Sequence, residues 1–161
     1  MLTFSSLLGI ITLRLRLMEV VLGRVIIPEH TGQERTQLTR GIVLALRELV
    51  RKTDVDAETR DLAAFIGLAL MAVWEGVEAS ITPWEKRGYW IKADRFRMEW
   101  IWTQKLGQEM QQAVLDEDWM RVAQLTAQVA GKLSNVKLPQ RNRLGIPWTG
   151  AWQRLSSQFP K

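Results

Sequence analysis

The chain has no cysteine and a single histidine, His30. The first absence excludes disulfides, thiolate metal ligands, cysteine nucleophiles and thioether-linked pigments together. The second removes the di-iron sites of helical bundles, which need Glu-x-x-His pairs on facing helices. Neither a Gly-x-Ser-x-Gly elbow nor a glycine-rich phosphate loop is present. His30 itself lies between Pro28 and Gly32 and reads as a turn residue. Asp54, Asp56 and Glu58 alternate as calcium ligands do, but Thr59 stands where such a loop needs glycine. They read instead as helix-capping residues, as do Asp116, Glu117 and Asp118. No catalysis, cofactor or metal is therefore expected.

Acidic residues are also missing from one end. The last is Asp118, and from there to Lys161 seven basic residues go unopposed: Arg121, Lys132, Lys137, Arg141, Arg143, Arg154 and Lys161. Residues 1–118 keep 15 basic against 17 acidic groups, so the whole net charge of +5 belongs to the C-terminal quarter. Long uninterrupted apolar runs are scarce. A span over 7–27 would place Arg14, Arg16, Glu19 and Arg24 in a bilayer, at about 2.5–3.5 kcal/mol for each charge near the centre. No basic residue precedes the apolar stretch 2–13 and no small-residue cleavage site follows it, so neither a spanning helix nor a signal peptide is expected.

What remains is helical. Strand alternation, internal repeats and low-complexity runs are absent, and 161 residues suffice for one domain with its own core. The pattern predicts an all-α, single-domain bundle of four or five helices over 1–136, with a basic tail over 137–161 packed on it. The first segment, about 6–24, is apolar over a wide arc with Arg14 inside it, which calls for a carboxylate such as Glu75 or Glu78. Thr31-Gly-Gln-Glu34 has the form of a capping box for the second, striped by Leu38, Ile42, Ala45, Leu46 and Leu49. The third begins after Asp56, is uncharged from Leu62 to Trp74, and has the apolar breadth of a central helix. Pro83 is expected to interrupt it. A fourth is expected from Trp84 or Gly88 to Leu115. A fifth follows Asp118, with Trp119, Val122, Ala123, Val129, Ala130 and Leu133 inward, and the tail holds a short helix near Trp148 to Leu155.

The chain is rich in tryptophan, with eight, and the stretch Trp84–Trp102 carries six aromatic, five basic and three acidic residues. Interleaved aromatic and cationic groups grip acidic partners, stack on bases or meet anionic head groups. Tyr89, Phe96 and Trp100 share a helical face with Ala93 and read as core. Trp84, Trp90 and Trp102 lie off that face, beside Arg87 and Arg95, and are candidates for partner binding. Arg141, Arg143, Trp148 and Trp152 repeat the pairing in the tail, where the tryptophans can cover the bundle while the arginines face outward. The sequence thus points to a non-catalytic interaction protein, an adaptor, assembly factor or small subunit, taking an acidic protein or another copy of itself. Nucleic acid bound by the basic C-terminal region is the alternative partner. A membrane surface met through the first segment is another. The expected location is the cytoplasm, with that segment as the route to a membrane surface.

Overall fold

A computed structural model describes residues 31–141 and 143–160. Among them are five helices and no strand: α1 (Thr31–Arg51), α2 (Ala57–Lys86), α3 (Trp90–Leu115), α4 (Trp119–Lys132) and α5 (Ala151–Gln158). The all-α bundle expected from the sequence is the observed fold. The segment around 6–24, with Arg14, and His30 lie outside the described residues.

The organising element is α2. Its 30 residues rise about 45 Å, and residues 62–70 are buried without interruption, together with Val73, Gly76, Val77 and Ile81. A helix apolar on more than one face must be covered on more than one side, and α1, α3 and α5 all pack on it. It is also long and apolar enough, by length and composition, to cross a membrane, and most of that stretch is buried inside the bundle.

Its start is built as the sequence implies. The Asp56 Oδ1 accepts the Thr59 backbone N–H at 2.7 Å and lies 2.8 Å from the Thr59 hydroxyl. These bonds to the charged form, backbone first, hold the Asp56 carboxyl down at about 2. Asp118 caps α4 in the same way, accepting the Arg121 N–H at 3.0 Å.

Pro83 does not end the helix, contrary to the sequence expectation: α2 continues to Lys86. Proline removes one N–H and usually costs about 3 kcal/mol in a helix interior. Here it sits one turn from the end, where Trp84 packs against Phe96 of α3 and Glu85 holds Arg97 of α3. Tertiary contacts of that last turn offset the lost bond. Consequently Trp84 belongs to α2, and α3 starts only at Trp90.

α2 and α3 form an antiparallel hairpin: Gly67 faces Gln111, Gly107 faces Leu70, and Arg97 faces Glu78. A Cβ on Gly67 would lie 2.9 Å from Gln111 Cγ and 3.2 Å from its backbone nitrogen, so glycine permits the close approach. α1 brings Ile42, Ala45 and Leu46 into the core, with Leu38 and Leu49 half-buried beside them. α4 buries Val122, Leu125, Thr126 and Val129, with Leu133 just beyond. Ala123 and Ala130, expected inward, are exposed. Two alanines tilted the apparent stripe, and the larger Leu125 sets the true one. α5 buries Ala151 and Leu155 against α2, where Asp61 accepts the backbone N–H groups of Gly150 at 3.1 Å and Trp152 at 2.9 Å.

Candidate partner-binding site

The site forms where α2 ends and α3 begins. Gly88 takes φ +78°, the Gly88 N–H donates to Glu85 O at 2.9 Å, and the Tyr89 N–H to Trp84 O at 2.9 Å. This paired 5→2 and 6→1 pattern with a left-handed glycine is a Schellman closure, which turns the chain sharply into α3.

The turn sets the aromatic residues on two sides. On the inner side Trp84 meets Phe96 edge-on at 5.4 Å, Phe96 lies 6.5 Å from Trp100, and Trp100 stacks on Trp102 at 6.4 Å. All four are half-buried. Arg35 of α1 lays its guanidinium 5.0 Å from the Phe96 ring and 5.2 Å from Trp100, closing the row from above. Burial lowers the Arg35 pKa from its ordinary value, and the nearby Glu99 charge opposes that.

On the outer side Tyr89, Trp90, Ile91 and Met98 stand in water, 56%, 60%, 74% and 72% exposed. The sequence placed Tyr89 with the core, and this is corrected. As the residue that caps α3 it precedes the first helical turn, so helical periodicity does not govern its direction. Ala93, Phe96 and Trp100 do follow the inward face, fully buried for Ala93 and half-buried for the rings.

The charges sort as sharply as the rings. Arg97 engages three carboxylates at once: Glu78 at 3.2 Å through Nε, Glu85 at 2.8 Å and Asp94 at 3.2 Å through its terminal nitrogens. Hydrogen bonds donated to Glu85 and then Glu78 raise its pKa from the ordinary value. Glu78, named from the sequence as a partner for Arg14, is thus held by Arg97. Lys86, Arg87 and Arg95 are exposed and make no ion pair among the described residues. Lys92 lies over the Trp84 ring, its Nζ 4.1 Å from the centroid. An open cleft runs between these groups, floored by Trp84 and Phe96, walled by Tyr89 and Trp90, and rimmed by Lys92 and Arg95.

Of the sequence candidates, Trp84, Arg87, Trp90 and Arg95 come together at this corner. Trp102 lies farther along α3, at the end of the ring row. Arg141 and Arg143 are exposed in the loop before α5, Trp152 is half-buried, and Trp148 is buried at 7% exposure, where its ring serves the core. Sequence reasoning missed Ile91 and Met98 as surface groups, because apolar residues seven apart mark a shared helical face and ordinarily a buried one. It also missed Arg35, whose partners are on another helix.

A second hollow, about 70 Å³, lies between α1, α2 and the loop at 144–147, bordered by Leu38, Phe65, Val73, Arg35 and Glu75. Burial raises the Glu75 pKa from its ordinary value. No group of three or more histidine, cysteine or acidic residues able to hold a metal occurs among the described residues. Compared with protein-family models, curated proteins and solved structures, the chain matches none.

Proposed function

We propose that this protein is a non-catalytic interaction protein, an adaptor, assembly factor or small subunit, that takes an acidic protein partner at the α2–α3 corner. One observation carries the reading: Arg97 gathers the carboxylates of Glu78, Glu85 and Asp94, while Lys86, Arg87 and Arg95 make no ion pair among the described residues and stand beside exposed Tyr89, Trp90 and Ile91. Large aromatic and arginine side chains are the residue types that dominate interface energies, and unopposed charge of one sign favours a partner of the other. The basis is positional, since a tryptophan that served only the core would not stand 60% exposed.

A photo-cross-linking amino acid placed at position 90 tests this. In native extract it should yield a discrete cross-linked protein, identified by mass spectrometry and then confirmed with the purified partner. The same group at Val50, which is 73% exposed on α1, should not yield it. Equal or absent products from both positions would reject the reading.

Nucleic acid remains the second reading, supported by Lys132, Lys137, Arg141 and Arg143, all exposed and without ion pairs among the described residues. Binding of that kind releases counterions, so affinity should fall by orders of magnitude between low and moderate salt. Sub-micromolar binding to DNA or RNA at physiological salt, lost on deleting 137–161, would put this reading first.

A further inference from the structure

We infer that the cleft at the α2–α3 corner receives a short acidic segment bearing one apolar anchor side chain, with Lys92 leaving Trp84 to meet a carboxylate as it enters. This rests on the proposed function and specifies the partner's chemistry.

The floor is the argument for an anchor. Trp84 and Phe96 meet edge to face at 5.4 Å and present half-buried ring surface at the base of an open hollow. An apolar floor set behind its walls is reached by a protruding side chain, whereas a flat bilayer surface meets the projecting Tyr89, Trp90, Ile91 and Met98 and leaves that floor unfilled. Exposed Ile91 and Met98 beside it are aliphatic surface, which suits side chains better than it suits the stacking of bases.

The rim is the argument for acid. Lys92 and Arg95 border the hollow, and Glu99 is the single acidic residue lining it among the described residues. The other nearby carboxylates are held by Arg97. Lys92 makes no ion pair among the described residues and covers the Trp84 ring at 4.1 Å. Lys92 is itself exposed, so its contact with the half-buried Trp84 ring holds it loosely, and a carboxylate offers it a charge-assisted hydrogen bond in return. Departure of Lys92 therefore uncovers the anchor's seat and supplies a cation to the anchor's flank in one movement.

The test is a random peptide library displayed against the full chain. Enriched peptides should carry net negative charge around one aliphatic or aromatic residue. Binding of a synthetic enriched peptide should weaken about tenfold or more on Arg95→Glu and on Lys92→Met. Both side chains are exposed, so folding is expected to persist. By NMR, the peptide should shift the Trp84 indole N–H signal, assigned by its loss in Trp84→Phe, and Lys92→Met alone should shift it without peptide. Neutral or basic enriched peptides, or indifference to both substitutions, would overturn the inference. So would a peptide that fails to bind while phosphatidylserine vesicles or single-stranded oligonucleotides bind at this corner. If cross-linking through position 90 succeeds while every peptide fails, the interaction role stands and the acidic-segment inference falls; if both fail, both fall.

Discussion

Arg97 illustrates how one residue shapes the field around it. By holding Glu78, Glu85 and Asp94, it joins α2 to α3 and removes three carboxylates from competition for the neighbouring cations. From sequence, Lys92, Arg95, Arg97 and Glu99 lie within reach of one another through neighbouring turns and can pair locally. The one residue that collects most of the acid was not legible, because two of its partners belong to the preceding helix. Buried residues were easier to read, since α2 is apolar on more than one face, and close approaches were not. Gly67 carries no sequence signal of its own, yet it lets Gln111 reach the α2 backbone, donating to Gly67 O at 3.3 Å. Gly67→Ala gains about 1 kcal/mol of helix propensity but forces the hairpin apart, at about 1–3 kcal/mol. Chemical denaturation should therefore register a net loss of roughly 1 kcal/mol. Asp56 gives a pH signature. Its folded pKa of about 2 lies below the ordinary 3.8, so its stabilising contribution is present above pH 4 and disappears as pH falls towards 2. Asp56→Asn should flatten the acid limb of a plot of stability against pH, while leaving the difference from wild type constant above pH 5.

At the scale of elements, existence and type were readable, as were the capped starts at Asp56 and Asp118, while the junction of α2 and α3 was not. The stripe of α1 and the breadth of α2 follow from apolar spacing alone. Pro83 misled because proline reports only the lost bond, whereas the helix end is fixed by Trp84, Glu85 and the Gly88 closure acting across two helices. The same displacement moved Tyr89 from core to surface. α5 is eight residues long, too short to be stable alone, and depends on its seat. The Asp61 carboxylate provides that seat by accepting the first N–H groups of the turn and helix, a favourable place for negative charge. Asp61→Ala should cost about 1.5–3 kcal/mol, as hydrogen bonds to charged groups do. Amide exchange measured by mass spectrometry should speed up most in 150–158. An unchanged exchange rate there would mean that Leu155 and Ala151 hold the helix unaided.

For the whole molecule, the core and the proposed partner-binding corner separate in space. The core gathers around α2, while the exposed aromatic and aliphatic groups of the α2–α3 corner contribute little to it. The sequence indicated this division, since six aromatics in nineteen residues exceed what one helical face can bury. Which of them faced water required the turn geometry. The separation makes the central claim testable with a single substitution, because surface changes of this kind normally stay within about 0.5 kcal/mol of wild type. The measurement is the affinity of Trp90→Ala for the cross-linked partner, taken by calorimetry beside a thermal melt of the same variant. The account predicts an affinity reduced about tenfold or more, with the melting temperature unchanged within error. A melting temperature lowered by many degrees, or an affinity equal to wild type, would contradict it: Trp90 would then belong to the structure, and the corner would not be where the partner binds.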